Sequence, residues 1–324
     1  MKASVALATY NGSAYLGEQL ASLLAQTRSL DEIVVSDDHS SDGTVGIARQ
    51  ALGALDPQKT RVSILESPHN QGVSRNFESA IAACHGDIVF LCDQDDYWMP
   101  EKVERMLDAF ARSPELILLY SNAVLVGARR ERLPSTQFSA LGVTGQELAL
   151  VRSGHAFDAL LHRNLVTGAT AAFRREVFEL ARPFPREWVH DEWIAAIASA
   201  LGRVDFIADA LIEYRQHASN EIGMRPLSVT ERFENLFRKR GDFCAREASR
   251  GQILLDRLIA LGDRIPPDKV HRLRERIAHL QFRDRLPRRR LARAVPVARE
   301  ALTGRYSAYG RGLRSILRDL LEPL

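Results

Sequence analysis

The chain has 324 residues, 45% of them hydrophobic and 26% charged, a balance that excludes disordered and collagen-like sequences and provides for a sizeable core. Net charge is +3, yet from Arg225 onward 24 Lys/Arg stand against 12 Asp/Glu, a surplus of +12 that leaves −9 for the preceding part. Three cysteines (Cys84, Cys92, Cys244) show no metal-ligand spacing, and Cys84 and Cys92, in or beside apolar segments, read as reduced core residues rather than a disulfide.

Ser4–Ala8 reads as a short apolar strand ending in the turn Thr9-Tyr10-Asn11-Gly12, and Tyr15–Gln26 carries apolar residues at helical spacing. Ile33–Ser36 is a second strand that stops at Asp37-Asp38-His39-Ser40-Ser41-Asp42-Gly43, where Ser41 or Asp42 can cap a helix over Thr44–Leu55. Val62–Glu66 is a third strand, followed by Asn70-Gln71-Gly72 and a helix over Ser74–Cys84. The apolar run Ile88–Cys92 is a buried strand, and Asp93-Gln94-Asp95-Asp96 follows it directly. A helix over Glu101–Ser113 and a strand over Leu116–Asn122 come next; 126–146, with Pro134 and several Ser and Gly, reads as a loop. His162–Phe173 and Ile207–Tyr214 read as strands, Glu176–Ala181 and Trp193–Leu201 as short helices. Beyond about Gly223 the chain reads as Arg-rich helix broken at Pro226, Pro266-Pro267, Pro287 and Pro296.

Strands alternating with helices imply βαβ units and a mostly parallel sheet, in which ligands bind beyond the carboxyl ends of the strands. Every polar cluster of the N-terminal half sits at such an end: 9–11, Asp37-Asp38, 70–76 and 93–96. Three carboxylates after a buried strand are costly unless a cation lies among them, and hard oxygen donors suit Mg2+ or Mn2+ carrying a diphosphate. By itself the same run also reads as a solvated acidic turn. Asp37 and Asp38 can accept from a base or ribose, and Arg75, near a helix start, suits phosphate. The chain lacks Gly-x-Gly-x-x-Gly after its first strand and lacks a P-loop, which argues against a dinucleotide site and a P-loop NTPase. In Trp188-Val189-His190-Asp191-Glu192-Trp193, carboxylates flanked by aromatics can be desolvated toward a base's working range, and aromatic faces suit sugar rings. The same segment also reads as an ordinary helix start with its tryptophans in the core. His217, in Tyr214-Arg215-Gln216-His217-Ala218-Ser219-Asn220, is a candidate metal ligand or diphosphate contact, or a structural histidine.

These pieces, from 5–12 through 32–44, 70–76 and 93–102, resemble glycosyltransferase family 2 in order and spacing over about residues 3–220. Asp-Gln-Asp-Asp-x-Trp, His-Asp-x-Trp and Tyr-Arg-Gln-His-x-x-Asn are further similar to bacterial rhamnosyltransferases of surface-polysaccharide assembly. The resemblance implies an α/β GT-A fold, a Rossmann-like, mostly parallel sheet flanked by helices, over 1–222, to which 223–324 adds a basic helical appendage. It implies an inverting, metal-dependent transferase using Mn2+ or Mg2+ that moves a sugar from dTDP-rhamnose or a UDP-sugar to a lipid-linked glycan acceptor. Thr9 and Asp38 would contact the nucleoside, with Tyr10, Asn11, Asp37 and Arg75 on the nucleotide side. Asp93 and Asp95 would be the metal pair, Asp95 the direct ligand with Asp96 adjacent, and His217 would close over metal and diphosphate beside Arg215. Gly168-Ala169-Thr170 would line the acceptor side, and Asp191 would be the general base among Trp188, His190, Glu192 and Trp193. The chain departs from the family pattern at His39, where Gly is commoner, and at Glu192, where Trp is frequent and which competes with Asp191 as base.

Two other readings use the same residues. One is a non-catalytic nucleotide- or glycan-binding module of a polysaccharide assembly complex, which a degraded metal motif or missing base would favour. The other is a nucleotidyltransferase, which would want a Gly-rich basic loop after the first strand. No stretch is long and apolar enough to cross a bilayer, and Met1-Lys2 runs straight into a strand, so the expected location is cytoplasmic. The tail mixes arginine with apolar residues: Phe233, Leu236 and Phe237 beside Arg238-Lys239-Arg240, then 286–291 and Leu313–Leu321. Such helices can lie on anionic lipid at the inner face of the membrane, or pack on a core with arginines solvated. Nucleic acid is not an expected partner.

Overall fold

The computed structural model describes residues 1–217 and 241–322. The chain divides into two compact units, Met1–Ala159 with Asn164–Met224, and Leu160–Arg163 with Arg225–Leu324.

The first unit is built on a nine-stranded mixed sheet in the order β3-β2-β1-β4-β8-β6-β9-β5, with β7 paired to β6. Its strands are β1 (Ala3–Thr9), β2 (Glu32–Asp37), β3 (Arg61–Glu66), β4 (Ile88–Cys92), β5 (Tyr97–Trp98), β6 (Leu116–Val126), β7 (Arg132–Thr136), β8 (Ala171–Arg174) and β9 (Arg203–Arg215). The first four are parallel, in register from Thr9 opposite Asp37 to Leu7 opposite Cys92. β6 and β9 are also parallel, while β8 runs antiparallel between β4 and β6. Every residue of β1, β2 and β4 is buried, as strands covered on both faces must be. Ala3, Val5 and Leu7 share one core cluster with Leu16, Leu20 and Leu23 of α1 (Leu16–Leu24) and with Ala48 and Leu52 of α2 (Thr44–Leu52). α3 (Val73–Ala82) packs against β1 and β2 and against α9 (His190–Leu201). Gly72, at φ 85, opens α3 in a conformation where only glycine escapes strain. α4 (Lys102–Arg112) turns Lys102, Val103, Met106, Leu107 and Phe110 inward.

The segment 126–146 is not a loop. It forms β7, α5 (Gln137–Ala140) and the start of α6 (Gly145–Arg152). Pro134 is tolerated because β7 lies off the main strand path, paired to β6 alone, and Thr144 with Glu147 makes a capping box that opens α6. Residues 162–173 are not one strand: α7 (Ala156–His162), a 3-10 turn at Gly168–Thr170 and the four-residue β8 divide them. α8 (Glu176–Ala181) precedes α9, which begins at His190, ahead of the expected Trp193.

The second unit, over its described residues from 241 on, holds α10 (Phe243–Ala260), α11 (Pro267–Asp284), α12 (Arg290–Leu302), α13 (Arg305–Tyr309) and α14 (Leu313–Leu321). α10 packs on α11, and α12 packs on α14. Pro267 sits in the first turn of α11, where its missing N–H is harmless, whereas Pro296 lies inside α12 without ending it. Pro226, Phe233, Leu236, Phe237 and Arg238-Lys239-Arg240 lie outside the described residues.

Candidate active site

The parallel strands β1, β2 and β4 deliver Thr9, Asp37 and Asp93 to one edge of the sheet. Asp38 is buried, and its carboxylate accepts from the backbone N–H groups of Gln71 and Gly72, each at 2.8 Å. Asp37 accepts from the Thr9 hydroxyl at 2.7 Å and from the Ser40 N–H at 2.8 Å. Both carboxylates therefore tie loops together, leaving only their remaining lone pairs toward the edge. Asn11 (φ 47) and His39 (φ 67) are left-handed, which explains why glycine is the easier residue at position 39. Arg75 is 41% exposed on its side chain and pairs with Glu78.

Gln94, unremarked in the sequence, fastens the first turn to the acidic one: its side chain accepts from Tyr10 N–H at 2.8 Å and donates to Tyr10 C=O at 3.0 Å. A Cβ on Gly12 would overlap that amide, so any other residue there would push the Gln94 side chain off its bonds to Tyr10.

The strand pair β5–β9 brings the acidic turn against the end of β9, with Tyr97 opposite Glu213. Arg215 is 1% exposed; its backbone N–H donates to Asp96 Oδ1 at 3.0 Å, and its guanidinium donates to Asp95 C=O, Ala128 C=O and Glu18 Oε2. That guanidinium also lies over the Tyr15 ring, and Tyr15 packs against His217. His217 Nε2 meets Asp95 Oδ2 at 2.8 Å. The Ala218-Ser219-Asn220 end of the motif lies outside the described residues.

Asp96 is fully buried, and one of its oxygens, Oδ2, has no hydrogen-bond partner. Burial, then the charges of Asp95 and Asp93, push its carboxyl well above the usual carboxylate range. Lys102 is the nearby cation. Burial pulls its ammonium down to about 7 against the opposing pull of Cys92, Asp96 and Asp93. Its Nζ donates to Ala169 C=O at 2.7 Å and lies 3.6 Å from the Trp98 ring centre. The sequence held a signal for it: Lys102 shares a helical face with Met106 and Phe110, an otherwise apolar stripe.

Lys102 thereby links the acidic turn to the segment that holds Asp191. Gly168, next to Ala169, donates its N–H to Asp191 Oδ2 at 2.8 Å, and Glu192 N–H donates to Asp191 Oδ1 at 2.7 Å. Burial raises the Asp191 carboxyl, while these N–H groups hold it down. Tyr214 feels both groups of carboxylates: after burial, Asp93, Asp96, Asp95 and Asp191 all raise its phenol. His190 stacks on Phe77 at 3.9 Å with neither ring nitrogen hydrogen-bonded, and burial lowers it to about 3, so it is neutral. Trp193 is core: its Nε1 donates to Ala181 C=O, and Trp188 packs against it, half-buried. Glu192 is partly exposed beside Asp191. A cavity of 330 Å³ along β6 and β7, lined by Val124 and 132–136, includes none of these residues.

A Cβ on Gly168 would sit 3.0 Å from His190 Nε2 and 3.3 Å from Asp191 Cβ. His190 is pinned by Phe77 and cannot yield easily. Gly168→Ala is expected to cost about 1–3 kcal/mol of stability by overpacking, measured by urea unfolding. A change below about 0.5 kcal/mol would show that the ring gives way.

Residues 4–180 match the family described as Glycosyl transferase family 2. A Nostoc sp. protein named as an uncharacterized glycosyltransferase is 31% identical over 226 residues, 68% of this chain and 66% of that protein. A Mycobacterium tuberculosis protein is 26% identical over 221 residues, 66% of this chain and 59% of its own length. The chain thus spans somewhat under two thirds of these relatives. Among solved structures, S. aureus TarS in complex with UDP-GlcNAc aligns with TM-score 0.58 at 17% identity, covering 99% of this chain and 88% of that one. The mannosyltransferase PcManGT from Pyrobaculum calidifontis, in complex with GDP-Man and Mn2+, aligns with TM-score 0.51 at 20% identity, covering 99% and 85%. At these identities the likeness is one of fold, the GT-A arrangement of a mixed, mostly parallel sheet flanked by helices. With more than half its length matched by the family pattern and its sheet carrying that fold, the chain belongs to glycosyl transferase family 2.

Proposed function

We propose that the chain is an inverting glycosyltransferase that moves a sugar, with rhamnose favoured, from a nucleoside diphosphate donor to a hydroxyl of a lipid-linked bacterial surface glycan at the inner face of the membrane. The observation that carries this reading is Asp191: a partly buried carboxylate raised by desolvation, oriented by two N–H groups and joined through Gly168, Ala169 and Lys102 to the acidic turn. Residues 1–222 form the catalytic domain. Thr9, Tyr10, Asn11, Asp37 and Asp38 hold the nucleoside, and Arg75 leaves Glu78 for the diphosphate.

The acidic turn fits a divalent cation, because it gathers hard oxygen donors whose mutual repulsion Lys102 only partly offsets, with one buried oxygen of Asp96 left unpartnered. Among the described residues no three His, Cys, Asp or Glu side chains converge as a ready-made cage. An ion such as Mn2+ or Mg2+ completes its shell with substrate phosphates and water. Asp93, Asp95 and His217 would hold it, and the charge it supplies would favour departure of the diphosphate. Asp191 takes the acceptor hydroxyl's proton as that oxygen bonds to the anomeric carbon and the carbon–phosphate-oxygen bond breaks. One in-line displacement inverts the anomeric centre without a covalent enzyme intermediate. Gly168, His190 and Trp188 flank the acceptor, Glu192 borders it, and Trp193, Asp96 and Arg215 hold the frame.

Calorimetric titration with dTDP, UDP and GDP, each with and without Mn2+, tests this. The expected result is tightest binding of dTDP, weakened at least about tenfold, or 1.4 kcal/mol, when the metal is removed. Preference for UDP would remove rhamnose and keep the transferase. Absence of binding to all three would overturn the reading.

A further inference from the structure

The two last long helices of the second unit are packed with their polar faces inward. On α14, Ser315 and Asp319 are buried while Leu313, Leu317 and Leu321 are exposed. On α12, Arg293 and Glu300 are buried with Val297, while Leu291, Val295 and Leu302 are exposed, Leu291 by 93% and Leu302 by 89%. Successive four- and seven-residue steps put each exposed set on one helical stripe, opposite the buried polar set. A soluble bundle would place those leucines inside.

The interior polar contacts lock this orientation. Arg283 forks onto Asp319 at 2.8 and 2.9 Å, and the Tyr306 hydroxyl donates to the same carboxylate at 2.7 Å. Arg293 donates to Asp319 C=O at 2.9 Å, and His279 Nδ1 meets Glu300 Oε1 at 2.8 Å. Turning either helix over would bury its leucines only by stripping partners from buried charges, which is strongly unfavourable.

Charge selects what covers the leucines. From Arg285 to Glu322 ten arginines face three acidic residues, and two of those three, Glu300 and Asp319, are buried. Arg288, Arg289 and Arg290 open α12, and Arg311 and Arg314 flank the start of α14, all exposed. A second copy of the chain would bring arginine against arginine. A bilayer with anionic headgroups accepts both the leucine stripe and its basic rim.

We infer that the outward faces of α12 and α14 form a docking surface for an anionic membrane. The inference deepens the proposed function, resting on its lipid-linked acceptor for a purpose; its test needs no donor, acceptor or turnover. The full chain is floated with vesicles of phosphatidylcholine alone or mixed with phosphatidylglycerol. About tenfold more protein is expected to float with the anionic vesicles, less at high salt. The variant L291E/L313E/L317E is expected to lose flotation while keeping its circular dichroism and its nucleotide titration, since those side chains are exposed. The variant R288E/R289E/R290E is expected to lose the preference for anionic lipid. Equal recovery of the wild type in the soluble fraction with both vesicles overturns the inference, as does undiminished flotation of the leucine variant. A dimer by light scattering that this variant dissociates, without flotation, assigns the face to a second copy and also overturns it.

Discussion

Asp191→Asn is expected to lower kcat by about 10²–10⁴-fold, the usual contribution of a positioned base, while nucleotide affinity stays within about twofold. Asparagine keeps the shape and can still accept the Gly168 N–H, losing only the local bond from the adjacent Glu192 N–H. What it cannot do is take a proton. The pH profile gives an independent check. The base works only when ionised, and burial raises the Asp191 carboxyl, so the wild-type rate should climb with pH through a value above the ordinary carboxylate range. That limb should vanish from the residual rate of the variant. If Asp191→Asn turns over normally and Glu192→Gln does not, the base is Glu192. If neither variant loses turnover, the base lies elsewhere.

The first four strands and their polar ends are legible in the sequence because each is a short apolar run stopped by charge. Charge at the end of a buried strand needs a reason, which is why Asp93, Asp95 and Asp96 stand out without any structure. The middle of the chain is harder. β8 has four residues, and the helices beside it have four to eight, too few for a period to declare itself, although the Thr144–Glu147 box was there to be read. Partners far apart in sequence left no local mark: Arg215 meets Glu18 across 197 positions, and Gln94 meets Tyr10 across 84. The tail shows the same limit. Its leucine periodicity gives two faces but not which one turns inward; that depends on Arg283 and Tyr306, which lie on neighbouring helices.

Lys102 is the residue whose removal should most disturb the frame. It is 0% exposed, and Met can fill its stem volume, so Lys102→Met isolates the charge and the hydrogen bond. The variant leaves Ala169 C=O without its donor and Asp96 without its nearby cation. Leaving that buried acceptor unsatisfied costs about 1–3 kcal/mol, which urea unfolding at pH 8, where the folded lysine is mostly neutral, would measure. The sign of the pH dependence follows from the depressed ammonium. In the unfolded chain Lys102 stays protonated up to its ordinary value of 10.5, whereas folded it releases its proton near 7. Across that window the unfolded state binds more protons, so the lysine's contribution to wild-type stability rises with pH. The methionine variant lacks this rise, so the difference should be larger at pH 9 than at pH 6. Turnover should fall as well, because Ala169, which Lys102 holds, adjoins Gly168, whose N–H orients Asp191. A stability loss under about 1 kcal/mol, as for an isolated surface lysine, or a gap that fails to widen as pH rises, would falsify this role.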